Sequence, residues 1–576
     1  MFSSRLWRWA LQTKLVIIIV YLSAVVGVGL AARRGSLRGP VEFFLAGRSL
    51  GPLVLVATMA ATNFSAFTVV GFAGAGYRLG FAFYPVMGFG TAFMALSFLL
   101  IGLPVWRLGK RYGLVTPPEL LVRRFDSRPL GVVFGTAMAV FTLPYLAIQP
   151  LAAGYALEST LGLPHALGGA LVTALVVSYC LVGGVRSVAW TDVLQGLFMF
   201  AALALSLVAV ARASGGFEVG LTALAEQTPE HFMRPGAGGG IALGIWGSYM
   251  LLWLLADPMF PQLFQRFYAA RGERAIVRTA VVYPVITTVL FFLPVAIGVF
   301  GRLHVTGLEG GDTDRILPMM VERFGGPWLP GLVSAGLIAA IMSTMDSQLL
   351  TLGSIVERDL LGLGRSDASS PTLSSQAPRN ARPGRRTHLL PTRLSLAALA
   401  LVGYLLSLRP PATILALATE TFGGLAVLLP SVVAALWWRR ATAPGLIASI
   451  IAGETWVALA HFGLVPSFGL LAALPAVAVA TLVLIAASLP TRSAAGAGHE
   501  WRGLASAGLT RREWAGWTVV FLAFLVLSID WWRFGEAPRL VLGVPSWVGY
   551  FGVLGLLLTV AFAVLGRRLI DRSPGA

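Results

Sequence analysis

The chain has 576 residues, 57% hydrophobic and only 12% charged, with a mean hydropathy of +0.80. That balance excludes an ordinary soluble domain and places the chain among integral membrane proteins. Its net charge of +18 is dealt out among short loops between apolar runs, which points to topology control and not to nucleic-acid binding. The lone Cys180 excludes an intrachain disulfide and a cysteine-based metal site.

About fifteen apolar spans are expected, since roughly 20 such residues cross a bilayer core. They lie near residues 15–32, 50–74, 80–106, 130–157, 164–184, 189–211, 240–264, 276–301, 328–350, 394–408, 412–437, 443–463, 469–489, 515–532 and 546–566. The first run follows Arg5, Arg8 and Lys14 like a signal peptide, but no A-x-A-like cleavage site comes after it, so it reads as a retained span. Most Lys and Arg fall on one alternating set of loops, which predicts the N-terminus outside and the C-terminus in the cytoplasm of a cell (inner) membrane protein.

The second span is interrupted. Its middle, Ala60–Ser65, is small and polar, and Asn63 is one of only two asparagines in the chain, the other being Asn380. Irregular backbone at membrane depth is tolerated only where it lines a protein-enclosed cavity. A Ser/Thr/Asn cluster that merely joins helices is the plainer alternative.

Between the third and fourth spans, Thr116-Pro117-Pro118-Glu119 is a capping box that predicts a short interfacial helix with a structural role. Asp192, after Thr191 near the start of the sixth span, reads equally well as a helix-capping acid. The seventh span carries Ala256-Asp257-Pro258 and Pro261, and proline breaks a helix by removing a donor and clashing with the preceding turn. Two broken helices five spans apart predict an inverted five-plus-five repeat, because an odd offset forces opposite directions. The ninth span brings Ala340, Ser343 and Thr344 to one helical face at i, i+3 and i+4. Hydroxyls and freed carbonyls suit a small cation, although such hydroxyls also bond back to their own helix.

Further on, Gly364–His388 is rich in Ser, Pro and Arg and reads as a disordered cytoplasmic linker that touches anionic lipid. Ser493–Thr510 is a second polar break. The last two spans, with Trp531, Trp532 and Trp547 at their ends, read as an accessory hairpin anchored by interfacial aromatics.

Three segments then carry a family resemblance: Gly47-Arg48-Ser49-Leu50-Gly51, Gly183-Gly184-Val185-Arg186 with Trp190-Thr191-Asp192-Val193 and Gln195-Gly196, and Ala339 through Gln348. Over residues 15–460 the chain resembles the sodium:solute symporters, the proline, pantothenate and sodium/glucose carrier type. The resemblance implies an all-α LeuT-like inverted repeat with one extra N-terminal and about four extra C-terminal spans. It divides the chain into 1–49, a first repeat 50–213, a second repeat 239–437 containing the linker 361–392, two spans in 438–490 and the hairpin 491–576. It implies Na+ as coupling ion, held by the carbonyls of Ala61, Phe64 and Ala340 and the hydroxyls of Ser343 and Thr344, with Asp192 on the ion exit path. Several relatives carry an aspartate where this chain has Asn63, and some have a tyrosine where it has Asp257.

The solute-binding candidates are Asn63, Ser65, Phe67, Tyr145, Gln149, Trp253, Asp257, Glu420 and Thr421. Glutamine at 149 is shared with the pantothenate-type carriers and favours a small carboxylate or amino acid. Asp257 and Glu420 would bind a cationic group or carry protons, because an ionisable group at mid-membrane is costly. Arg266 lies too far along the chain from Asp257 to pair with it on one helix. The expected activity is sodium-coupled uptake of a small organic solute by alternating access, with proton coupling in the same fold as the alternative. A solute sensor is more remote, since about ten residues follow the last span and no output domain is visible. An enzyme is not expected, because the six histidines are scattered without a metalloprotease or nucleophile-elbow motif. The partners expected are the solute and the bilayer, with no nucleic acid and no obligatory protein.

Overall fold

In lipid every backbone donor and acceptor has to be satisfied inside its own segment, and the chain meets that demand with helices. Among the described residues the only sheet is a two-residue pair, Leu540–Val541 with Val544–Pro545. The computed structural model describes residues 2–32, 39–363, 390–409, 414–490, 499–505 and 508–572; the Gly364–His388 linker falls outside them. Among these residues, eleven helices are long and apolar enough to cross a membrane, or twelve if one bent pair counts as a span.

Helix α1 covers Phe2–Ala32. The second expected span is split into α2 (Pro52–Asn63) and α3 (Phe72–Leu79), joined by a π-helical turn at Phe67–Gly71. Next come α4 (Phe83–Met94), α5 (Leu103–Tyr112) and the short α6 (Pro117–Phe125). Half of the expected capping box forms: Glu119 accepts from the backbone of Val115 at 2.7 Å and of Thr116 at 3.5 Å, while the Thr116 hydroxyl makes no cap hydrogen bond. Helix α7 is Arg128–Leu161 and α8 is His165–Ala213, one ribbon with a break at Gly184 (φ 59°, ψ −170°) between the expected fifth and sixth spans. Glycine is needed there twice over, for the positive φ and because a Cβ would lie 2.6 Å from the Phe43 carbonyl.

The seventh span is the bent pair α9 (Leu243–Ala256) and α10 (Pro261–Ala269), turned by 58° at Asp257–Phe260. Helices α11 (Glu273–Gly301), α12 (Leu329–Ile355) and α13 (Leu390–Ser407) follow. The eleventh span is α14 (Ile414–Val427) and α15 (Leu429–Trp437); then come α16 (Ala443–His461) and α17 (Ala473–Ser488). The chain closes with α18 (His499–Ala505), α19 (Arg511–Ile529) and α20 (Ser546–Asp571).

Packing sorts these helices into two groups. Helices α3, α4, α9 and α11 pack on one another, and α7, α8, α12, α13 and α14 form the other group. Small residues set the first group's spacing: a side chain at Gly76 or Gly298 would run into the facing backbone of α11 or α3. Helix α2 lies between the groups, against α11 of the first and α8 and α12 of the second.

Two expectations about the C-terminal part need correction. Part of the polar break 493–510 is a packed helix, α18, whose Trp501 stacks on Tyr112 and donates to the Ala435 carbonyl. Trp531 and Trp532 are exposed at the hairpin tip, but Trp547 is buried and donates to the Phe232 carbonyl at 3.1 Å. Its indole N–H has a protein partner, so it anchors the hairpin to the protein and not to the interface.

Candidate functional site

Helix α2 ends at Asn63, and Phe64 (φ −89°, ψ 79°) leaves the helical conformation. The hydroxyl of Ser65 then accepts from the Phe67 N–H at 3.1 Å and starts the second half. Against this break stands α12. The Ser343 hydroxyl lies 2.9 Å from the Ala61 carbonyl and 3.0 Å from that of Ala340. Thr344 does not bond back to its own helix but crosses to the Thr62 carbonyl at 3.0 Å, one residue past Ala61. Ala61, Ala340 and Ser343 thus bring their oxygens together, buried and without formal charge. Such a donor set fits a hard monovalent cation, which needs several oxygens and no deep negative charge.

Seven of the nine solute candidates surround the two breaks. The Asn63 amide donates to the Tyr283 hydroxyl on α11 at 2.7 Å and reaches Asp257 at 3.5 Å, so the broken helices face each other. Tyr145 donates to the Ser65 hydroxyl at 2.8 Å, and Gln149 accepts from the Ala66 N–H at 3.4 Å. Trp253 donates to the Val86 carbonyl at 2.9 Å and packs edge-on against Phe422, with ring centroids 5.1 Å apart. Phe67 and Tyr145 meet the same Phe422 ring, at 5.6 and 5.4 Å, and Phe260 lies 5.0 Å from it. Phe260 and Phe422 were not among the sequence candidates; aromatic content alone does not separate them from other packing residues.

Glu420 and Thr421 stand apart from this cluster. The Glu420 side chain is 59% exposed and 3.3 Å from His461, at a cavity of about 840 Å³ between α7, α13, α14 and α16. Thr421 bonds back to the Leu417 carbonyl. Their neighbour Phe422 takes the inward face of α14 that the sequence reading gave to them.

Below the ion site lies a buried polar network. Asp192 does not cap a helix: it sits within α8, past the Gly184 break, and Thr191 bonds back to Ser187 and Val188. Asp192 instead accepts from Thr58 and lies 3.7 Å from Arg266. Arg266 donates to Thr58 at 3.0 Å and to Ser347 at 2.5 Å, and Ser347 also meets the Thr62 hydroxyl at 3.1 Å. Asp346 accepts from Tyr179 at 2.6 Å and from Ser347 at 3.2 Å. Thr62 is the hinge of the arrangement, since its carbonyl serves Thr344 and its hydroxyl serves Ser347.

On the opposite side of the break, Arg78 at the end of α3 reaches Thr313 and lies 4.0 Å from Asp314 in the turn after α11. Asp314 also accepts from the Ile414 N–H at the start of α14, at 3.1 Å. Burial pushes the Asp314 carboxyl up to about 6, held back by that N–H and by Arg78. Polar contacts therefore tie the helices together on both sides of the breaks.

Two interrupted helices meeting beside a hydroxyl-bearing neighbour define a LeuT-like transporter. The fold matches a Na+-coupled sialic acid symporter solved in a substrate-bound outward-open state, with TM-score 0.63 and 19% identity over 82% of this chain and 98% of that one. It also matches Mhp1, a nucleobase-cation-symport-1 family transporter in a closed conformation, with TM-score 0.54 and 13% identity over 77% and 93%. The model of the sodium:solute symporter family matches residues 43–453, and the chain belongs to that family. Relatives include the sodium/pantothenate symporter of Escherichia coli, 27% identical over 76% of this chain and 88% of its own length. The osmoregulated proline transporter OpuE of Bacillus subtilis is 28% identical over 82% and 94%, and the sodium/proline symporter of Salmonella typhimurium 26% over 77% and 86%. The protein is a sodium-coupled solute symporter of a multi-pass membrane type and not an enzyme.

Proposed function

We propose that the solute is a small amino acid or an amine-bearing carboxylate, taken up with Na+ by alternating access. The observation that carries this reading is the pairing of opposite polarities at the two breaks. The half-helix that starts after Ser65 offers the Ala66 and Phe67 N–H groups, the positive end of a helix dipole, to a carboxylate. Across the gap Asp257 is a buried carboxylate whose described partner is one amide, that of Asn63. A zwitterion would replace Gln149 and Ser65 on the N–H groups and Asn63 on Asp257. Its apolar part would meet Phe67, Tyr145, Trp253, Phe260 and Phe422.

Sodium would be held by the carbonyls of Ala61, Phe64 and Ala340 and the hydroxyls of Ser343 and Thr344, and it would leave past Asp192. The family's proline and pantothenate carriers agree with a carboxylate-bearing solute. The repeats would span 50–213 and 239–437, and the arginine-rich loops support an outside N-terminus and a cytoplasmic C-terminus. A fluorescent protein fused at the C-terminus should then fluoresce; a dark, exported fusion would reverse the orientation.

The test is a panel of labelled amino acids, amine-free carboxylates and sugars offered to proteoliposomes under an inward sodium gradient. An amino acid should accumulate. Asp257→Asn should weaken its apparent affinity at least about tenfold, since a desolvated charge pair contributes about 2–5 kcal/mol. Uptake driven by a pH gradient without sodium, and lost in Asp257→Asn, would make Asp257 a proton carrier instead. Unchanged affinity and pH dependence would remove it from both roles.

A further inference from the structure

Helices α19 and α20 lie beyond the residues that the family model matches. Their principal contacts among the described residues are all with one of the two helix groups. Helix α20 packs along α11 and α4, and α19 packs on α9. Gly555 and Gly566, about three turns apart on one face of α20, let it seat closely on α11. A Cβ at Gly555 would fall 2.6 Å from the Thr288 hydroxyl, and one at Gly566 would strike Val277.

The hairpin tip is fastened with more than apolar contact. Arg234, in the segment leading to α9, forms an ion pair with Asp530, and their side chains are 2% and 1% exposed. The Arg234 guanidinium sits 5.0 Å from the Trp547 ring, 5.9 Å from Trp246 and 6.0 Å from Phe534. Trp246, in the first turn of α9, donates its indole N–H to the Ser528 carbonyl on α19 at 3.0 Å. Charge, cation–π contact and backbone hydrogen bonds thus converge on one joint. A hairpin held only by lipid-like packing would need none of them.

We infer that α19–α20 is a clamp that makes α4, α9 and α11 one moving body, with Arg234 and Asp530 as its positioning residues. In a broken-helix transporter one group of helices rocks against the other around a fixed site. The outer half-helix α9 ends at Asp257, so its position relative to α4 and α11 sets where that carboxylate stands. Fixing the head of α9 through Trp246 and Arg234 keeps Asp257 in register while the body moves. Helix α18 bridges the segment that follows α4 and the segment that follows α14, at Tyr112 on α5 and Ala435 on α15, and so marks the pivot. The inference rests on the two-body reading of the transport cycle.

Distance measurements between spin labels decide it. Labels go on Glu536 at the hairpin tip, Thr306 after α11 and Ala166 on α8, all exposed, in a Cys180→Ala background in proteoliposomes. Replacing choline chloride with sodium chloride should shift the Thr306–Ala166 and Glu536–Ala166 distances together and leave Glu536–Thr306 unchanged. A shift in Glu536–Thr306, or a Glu536–Ala166 distance that stays fixed while Thr306–Ala166 moves, overturns the clamp. A second measurement does not depend on the transport cycle: Arg234→Met should broaden the Glu536–Thr306 distribution at least about twofold. An unchanged width overturns the clamp, even where a motionless Thr306–Ala166 pair has removed only the two-body reading.

Discussion

Replacing both Ser343 and Thr344 with alanine should raise the sodium concentration for half-maximal uptake by about seventyfold, with each single change costing about two- to thirtyfold. What the hydroxyls do in each state sets that size. Without the ion, each donates to a carbonyl: Ser343 to Ala61 or Ala340, and Thr344 to Thr62. Such neutral hydrogen bonds contribute about 1 kcal/mol net. With the ion bound, each hydroxyl turns its lone pair to a full charge, an interaction in the range of about 1.5–3 kcal/mol. Alanine therefore weakens both states, but the bound state by about 0.5–2 kcal/mol more per site, at about 1.4 kcal/mol per tenfold change. Thr344→Ser keeps the oxygen and should stay within about threefold of the parent. The buried Cys180 supplies a second readout, because a thiol-reactive dye reaches it only on unfolding. Sodium should raise the temperature at which the dye reacts, by linkage to binding, and the double variant should lose that shift. A double variant still protected by the same sodium concentrations would move the ion away from α12.

The parts of this site that were legible in the sequence are those that break a local rule. Asn63 and the Asp257-Pro258 step interrupt otherwise apolar helices, and a bilayer offers such interruptions no solvent, so their positions alone predicted that the helices would part there. The face shared by Ala340, Ser343 and Thr344 was readable from helical spacing, although that Thr344 reaches Thr62 was not. What stayed hidden depends on partners far away in the chain. Nothing local tells that Arg266 meets Asp192 on α8, or that Trp547 points at the Phe232 carbonyl and not at the interface. Glu420 looked like a binding group because hydropathy averages around a helix. Phe422, two residues on, faces the breaks, while Glu420 faces His461 and the wide cavity. Asp192 misled in a different way: an acid after a threonine resembles a cap, but the helix had already restarted at Gly184.

Arg266→Met should be among the most destabilising single changes in the protein, by about 3–5 kcal/mol, and Asp192→Asn on top of it should recover most of that loss. Removing one partner of a buried ion pair leaves an uncompensated charge in a medium that cannot solvate it, whereas removing both leaves none. The surroundings make the two single variants unequal. Arg266 stands near Asp192 and, through Ser347, in the same network as Asp346, so without Asp192 it still has a carboxylate nearby. Without Arg266 two carboxylates share a buried pocket with only hydroxyls to serve them. Stability by Cys180 exposure should therefore rank parent, Asp192→Asn, the double variant near it, and Arg266→Met last. Accumulation should not follow that ranking. Arg266 links α10 to α2, α8 and α12, the contacts that join these helices below the ion site. The double variant should fold yet accumulate less solute for the same sodium gradient, because that side is then held by apolar contact alone. If the double variant is as unstable as Arg266→Met, the arginine serves packing through its long stem and the charge account of the network fails.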